Sequence, residues 1–216
     1  MRVSYHEAMR RLATIVLDLL FPPRPDERQV RAFTEDTLLA RSSPRLIRVC
    51  RPEATALLSF ADPQVRALMH EAKYHRSERA FSLLGSALQD YLTEWQAEEG
   101  FGRAVLTPIP LSNARRAERG YNQAEEIARR ALRESDLSLA TDILVRTRDT
   151  VSQTTLSRQE RIRNMRGAFG AAHPLDPTLT YLLLDDVVTT GATMQAAIDA
   201  LTAAGATCII PLALAH

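Results

Sequence analysis

Residues 182–193 read LLLDDVVTTGAT. Three leucines run into two adjacent aspartates, Asp185 and Asp186, and then into a turn of valines, threonines, glycine and alanine. The nearly continuous apolar run of TYLLLDD (180–186) predicts a strand covered on both faces. MQAAIDALTAAG (194–205) has helical spacing and ends on Gly205, suited to a C-terminal cap. In an open parallel sheet, ligands collect beyond the carboxyl ends of the strands. Gly191 allows close approach to the backbone there. Successive N–H groups at a helix start form a cradle for phosphate, aided by the helix dipole. Thr189, Thr190 and Thr193 add hydroxyl donors, and the aspartates add acceptors for sugar hydroxyls. Adjacent carboxylates repel, so two at a strand end cost stability unless something bridges them. A ribose 5-phosphate group satisfies both halves of the stretch.

Outward from this unit, strands and helices alternate. TCIIPLALA (207–215) is a second continuous apolar strand, in which Cys208 reads as a small core residue. AVLTPIPL (104–111) is a strand ending in a proline-punctuated turn, and DILVR (142–146) is a short strand. NQAEEIARRAL (122–132) is a helix, with Asn122 and Glu125 arranged as a capping box and Arg129 and Arg130 on its solvated face. Asp62-Pro63 caps a helix whose apolar face is Val65, Leu68, Met69 and Ala72. A further helix carries Phe81, Leu84, Leu88, Tyr91, Leu92 and Trp95 on one stripe, read as core. Short strands are expected at 46–49 and 55–60. The class is α/β, a Rossmann-like parallel sheet with right-handed crossovers.

The bulk numbers fit one globular chain. Of 216 residues, 45% are hydrophobic and 25% charged, and 27 basic against 26 acidic residues leave a net charge of +1. No general nucleic-acid coat follows from that balance, so any basic function must be local. Cys50 and Cys208 are read as free thiols in a reducing cytosol. Arg10 and Arg11 before LATIVLDLLF loosely imitate a signal peptide, but Asp18 breaks the run and PPRPDE follows it. Met9, Leu12, Val16, Leu19 and Leu20 fall instead at helical spacing, ended by Pro22, Pro23 and Pro25. A cytoplasmic protein is expected.

The order of apolar strand, DD, two residues, TTGAT and helix resembles the phosphoribosyl pyrophosphate (PRPP) motif of type I phosphoribosyltransferases. VRALMHEAKYH (65–75), TPIPLSNARRAERGYNQAEEIA (107–128) and RTRDTVSQTTLSRQERIRNMRGAF (146–169) resemble, in order and spacing, the ComF family. That family includes a competence protein of bacterial DNA uptake. The resemblance covers about residues 56–215 and implies a type I phosphoribosyltransferase fold over 56–216. Residues 1–55 would be an N-terminal helix and a degenerate ribbon. Family members typically carry a zinc ribbon after LLFPPR, built on paired cysteines. Here LLFPPR (19–24) leads into PDERQV, and Cys50 is the only cysteine before Cys208. Four thiolates cannot be assembled, so no zinc is expected. A helical segment replaces the ribbon, and residues 25–53 are either held by packing or loosely ordered.

By the same resemblance, Asp185 and Asp186 would hold the ribose and act in catalysis. Val187, Val188, Thr189, Thr190, Gly191, Ala192 and Thr193 would complete the PRPP site. Mg2+ would enter mainly through PRPP oxygens, with no protein metal site. The turn from Pro108 through Pro110 and Leu111 to Ser112 would be the pyrophosphate loop, with an unusual peptide bond expected before Pro108 or Pro110. Lys73, Tyr74, Arg115, Arg116 and Arg119 would flank it, since guanidinium forks suit phosphate oxygens. Residues 147–168 would form a lid bringing Arg158, Arg161 and Arg163. His70 and His75 are read as surface or packing residues, and His6, His173 and His216 have no metal-ligand spacing. Two readings stay open. One is a transferase moving phosphoribosyl from PRPP to an acceptor. The other is a non-catalytic PRPP- or nucleotide-binding scaffold. A DNA-uptake helicase and single-stranded DNA are the implied partners, at or near the inner membrane.

Overall fold

The computed structural model describes residues 22–98, 102–148 and 157–216. The expected helix through Met9 to Leu20 and residues 149–156 of the expected lid lie outside them. Two short helices, α1 (Pro25–Ala32) and α2 (Glu35–Leu39), precede strands β1 (Arg45–Ile47) and β2 (Ala54–Leu58). Helices α3 (Pro63–Tyr74) and α4 (Glu78–Glu98) lead to β3 (Ala104–Pro108), α5 (Asn113–Arg119), α6 (Gln123–Ala131) and β4 (Ser138–Leu139). Then come β5 (Leu144–Arg146), α7 (Arg158–Met165), β6 (Phe169–Ala171), β7 (Thr180–Val187), α8 (Ala192–Ala203) and β8 (Cys208–Ala215).

The main sheet has the order β1-β2-β8-β7-β3-β4. Every neighbouring pair is parallel except the β1–β2 edge. Side chains alternate across a strand, and β7 shows what this does when both faces are covered. Leu182 and Leu184 enter one core with α3, α4 and α6. Tyr181 and Leu183 enter the other with α8, β5 and β6. Each fully buried leucine contributes about 1.5–3 kcal/mol, so both faces reward the same uninterrupted apolar run. Leu182 pairs with Leu106 of β3 and Ile210 of β8, which puts β7 at the centre of the sheet.

The expected α/β sheet is present, with several local corrections. DILVR does not join the main sheet: β5 pairs antiparallel with β6 in a separate two-stranded sheet. Cys208 is exposed, whereas Cys50 is buried. Within the expected lid, residues 158–165 form a regular helix, capped reciprocally by Ser157 and Glu160. The Asn122 side chain accepts from Ala124 N, but no reciprocal bond from Glu125 forms; Glu125 pairs with Arg129 instead. Among the described residues the single cis peptide is Arg51–Pro52, so the bonds before Pro108 and Pro110 are trans.

Arg130 is not on a solvated face. Its guanidinium meets Glu126 and Glu78 and lies over the Phe81 ring, 4.7 Å from the centroid. Gly85 makes this possible: a Cβ there would sit 2.8 Å from Arg130 Cβ, so only glycine lets α4 and α6 approach this closely. Residues 24–53 are held by packing. Val30, Phe33 and Leu38 are buried in the same core as α3 and α4, and Arg79 donates to the carbonyls of Val30 and Phe33.

Candidate functional site

β7 carries Asp185 and Asp186 at its carboxyl end, where it still pairs with β8. Asp186 N donates to Asp185 Oδ1 at 2.9 Å, and Val187 N donates to Asp186 Oδ1 at 2.5 Å. These bonds fold the carboxylates back over the strand end. Both side chains keep part of their surface open to solvent. Burial, and next the charge of Asp186, push the Asp185 carboxyl up to about 7. Lys73, the Asp186 N–H and Arg115 pull the other way. Loss of solvent is thus the main penalty on the charged carboxylate, and a hydroxyl donor bonding to it would favour the ionised form.

Lys73 comes from the last turn of α3 and places Nζ 3.1 Å from Asp186 Oδ2. The segment RGYNQ (119–123) fixes that turn. Tyr121 OH donates to Ala72 O at 2.7 Å and accepts from Arg76 N at 3.1 Å. Gln123 Nε2 donates to Lys73 O at 3.5 Å. Asn122 Nδ2 donates to Ile109 O at 2.9 Å, tying down the turn after β3. One short run thus positions both Lys73 and the β3 turn. Beyond the expected capping role of Asn122 and anion-facing role of Arg119, the run also positions the site. Its signal was the polar Asn-Gln pair at the start of an amphipathic helix.

After β7, Val188 is buried and donates its N–H to Ala215 O. Thr189 is exposed, Thr190 and Thr193 are half-buried, and Gly191 and Ala192 are buried. Gly191 is the N-cap of α8 at φ +75°. The Val49 backbone rests against it, so that a Cβ on Gly191 would lie 2.6 Å from Val49 C and closer still to its carbonyl oxygen. The same segment is pinned to α8 by Arg51 N donating to Gln195 Oε1 at 2.8 Å. The turn is thus backed on one side by the N-terminal segment, a contact with no local signature in the sequence.

Across the site, Ser112 is buried and caps α5 by accepting from Arg115 N. Pro110 and Leu111 are half-buried in the turn before it. Arg115 is exposed but close enough to favour ionised Asp185. Arg119 lies over the Tyr74 ring at 5.1 Å, and its Nε is buried without a partner. Arg116 is exposed in the last turn of α5 and is not brought to the carboxylates by any contact. Arg161 is half-buried on α7, which packs against α8. Arg158 begins α7, its side chain lying outside the described residues, and Arg163 is exposed.

On the outer side of α3, Glu71 is 1% exposed and takes both forks of Arg24, with Nε–Oε1 at 3.2 Å and Nη2–Oε2 at 2.9 Å. Arg24 ends LLFPPR, so two family-like segments meet in one ion pair. His70, Glu71 and His75 bring potential ligand atoms within 4.8 Å of one another. However, Arg24 occupies Glu71 and Asp26 occupies His70 Nδ1, at 3.0 Å. Glu71 and His70 Nδ1 thus already have partners, and His75 Nε2 stands 3.9 Å from Glu71 Oε1. Among the described residues no helix is long and apolar enough to cross a membrane.

A parallel sheet with paired carboxylates at a central strand end, a glycine-capped helix start and flanking arginines defines the type I phosphoribosyltransferase class. Residues 117–215 match the phosphoribosyl transferase domain family, and the chain is similar to ComF-like proteins of that class. It is similar to Competence protein F of Haemophilus influenzae, 34% identical over 93 residues, which are 42% of this chain and 41% of that protein. It is also similar to DNA utilization protein YhgH of Salmonella typhi, 31% identical over 149 residues, and of Escherichia coli, 30% identical over 148 residues. Each YhgH match covers 66% of this chain and 64% of the relative.

Proposed function

We propose that the chain binds PRPP with Mg2+ at the end of β7 and transfers the phosphoribosyl group to an acceptor, in DNA utilisation. The observation that carries this reading is the Asp185–Asp186 pair at the end of β7, with the Asp185 carboxyl raised by burial, directly before a glycine-capped helix start. Ribose hydroxyls would donate to the two carboxylates. The 5-phosphate would lie against the N–H groups and hydroxyls of Thr189 to Thr193. Arg115 and Arg119, beyond the Ser112-capped turn, would face pyrophosphate, with Arg116 beside them. Arg158 and Arg161 would approach on α7.

During transfer the anomeric carbon loses its bond to pyrophosphate, which leaves with the electron pair, and gains a bond from the acceptor. Positive charge grows on the ring, where the carboxylates oppose it, and negative charge grows on the leaving group, where the arginines do. An oxygen-rich, anionic setting suits a hard cation. Mg2+ brought by PRPP oxygens would supply further neutralisation of the leaving pyrophosphate. A cytoplasmic setting and a DNA-uptake helicase as partner extend the same reading, supported by the names and resemblance of the relatives.

PRPP with Mg2+ is expected to raise the melting temperature, since it binds only the native state, and the Asp185→Asn, Asp186→Asn double variant to lose the shift. An unchanged melting curve at millimolar PRPP would sink the proposal. PRPP binding without pyrophosphate release for any acceptor would mark the protein as a scaffold.

A further inference from the structure

The end of β8 meets the first residue of the turn that follows β7, and Val188 uses both of its backbone groups there. Its N–H donates to Ala215 O at 3.1 Å. Its carbonyl oxygen lies 2.8 Å from His216 Nδ1. A carbonyl can only accept, so Nδ1 carries the hydrogen and donates. The ring is held in place for this task. His216 N donates to Leu58 O at 3.2 Å, and the His216 backbone oxygen accepts from Phe60 N at 3.0 Å. Arg45 Nη2 donates to the same oxygen at 2.7 Å. The residue is half-buried and ties the ends of β2 and β8, with the side chain of Arg45 from β1, to the turn after β7.

The Val188–Thr189 peptide is trans. A trans peptide is planar, and its carbonyl and N–H point in opposite directions. Fixing the Val188 carbonyl therefore also fixes the Thr189 N–H and turns it away from His216. Thr189 is exposed, and among the described residues its N–H meets no backbone carbonyl. It is the first free amide of the turn that leads to Gly191. The sense of this dipole matters to an anion. As observed, the turn presents the N–H, which attracts phosphate. A half-turn of the peptide plane would present the carbonyl oxygen in its place and repel phosphate. Such a flip changes only ψ of Val188 and φ of Thr189, so one local hydrogen bond can decide it.

We infer that His216 is a positioning residue for phosphate binding: its Nδ1–H locks the Val188–Thr189 peptide so that the amide, and not the carbonyl, faces the phosphate of a phosphorylated sugar. The inference rests on the PRPP reading above. It gives a residue outside the DDVVTTGAT run control over the first amide within it.

The test uses the full chain with Mg2+ and titrates two probes, ribose 5-phosphate and pyrophosphate, by calorimetry. His216→Phe keeps an aromatic ring and removes the donor, whereas His216→Asn keeps an N–H donor close to the place of Nδ1. His216→Phe is expected to weaken ribose 5-phosphate roughly three- to tenfold, the range of one net hydrogen bond, and to leave pyrophosphate affinity unchanged. His216→Asn is expected to restore the parent affinity for ribose 5-phosphate. A merely structural role would weaken both probes together and would gain nothing from asparagine. An unchanged ribose 5-phosphate affinity in His216→Phe, equal losses for the two probes, or a loss that asparagine does not repair overturns the positioning role and leaves the PRPP site standing. A parent protein that shows the PRPP thermal shift without binding ribose 5-phosphate overturns the role as well. A parent that shows neither overturns the PRPP reading with it.

Discussion

Gly191→Ala tests how tightly the N-terminal segment is seated on the loop before α8. Two costs add at this position. An L-residue at φ +75° is disfavoured by roughly 1–2 kcal/mol. The new methyl would also overlap the Val49 carbonyl group, 2.6 Å from its carbon, and overpacking of that kind costs roughly 1–3 kcal/mol. The obstacle is backbone, so no rotamer relieves it. Either the loop moves or the turn at 48–51 withdraws, giving up the Arg51–Gln195 bond. Gly120 supplies the control, because it has φ +76° and nothing within 4 Å of a new Cβ. Gly120→Ala is thus expected to report the backbone term alone, and Gly191→Ala that term plus about 1–3 kcal/mol. Urea unfolding followed by circular dichroism measures both. Equal losses in the two variants would show that Val49 does not bear on the loop, and the described seating would be wrong.

Two further outcomes follow from named groups. The Asp185 carboxyl is raised in the folded protein from its ordinary value to about 7. Below about pH 4 the group is protonated in both states and contributes nothing. Between about 4 and 7 the unfolded chain sheds the proton more readily, so stability falls as pH rises, and the full penalty stands above 7. Asp185→Asn is therefore expected to stabilise the ligand-free protein at pH 8 by roughly 2–4 kcal/mol and to leave it nearly unchanged at pH 4; equal unfolding midpoints at pH 8 would refute this. Arg24→Met strands the buried Glu71 carboxylate and is expected to cost about 2–4 kcal/mol, and adding Glu71→Gln should recover part of that loss. Calorimetric melting of the single and double variants checks it, and a double variant no better than Arg24→Met alone would count against the pairing.

The parts of the fold visible in the sequence are those where one local pattern has a single burial solution. LLLDD and IIPLALA admit only a strand covered on both faces, because every alternate side chain needs an apolar partner. Asp62-Pro63 marks a helix start because its carboxylate meets a free N–H, and here it accepts from Gln64 N. Patterns failed where tertiary contacts decide. Arg130 has the spacing of a solvated residue, and only Glu78, 52 positions away, and the Phe81 ring draw it inward. Cys208 sits in an apolar run, yet it is the first residue of β8 and remains open to solvent. Leu144–Arg146 alternates like any strand, and nothing local says that its partner is β6 rather than the main sheet. At the site, the aspartates, glycine and threonines were legible because their order is itself the unit. The ion pair of Arg24 with Glu71 joins residues 47 apart. A hint existed in Glu71, an acid three residues beyond Leu68 on an otherwise apolar face.

The N-terminal segment shows why its lack of paired cysteines leaves it ordered. Burial raises the Cys50 thiol to about 11, and Sγ lies 3.2 Å from Pro52 O, so it behaves as a neutral core group. The segment is held by several separate contacts. Ile47 joins the core beneath α8, and Val49 and Arg51 clasp the start of α8. Val30, Phe33 and Leu38 join the core beneath α3 and α4. Arg24 and Asp26 grip Glu71 and His70. The segment therefore touches two elements that frame the carboxylate pair, the helix bearing Lys73 and the helix starting at Gly191. Loosening it would tilt α3 against β7 and free the loop before α8 together. A change far from Asp185 in sequence, such as Phe33→Ala, should then cost about 3–5 kcal/mol in packing and weaken any ligand that spans both helices.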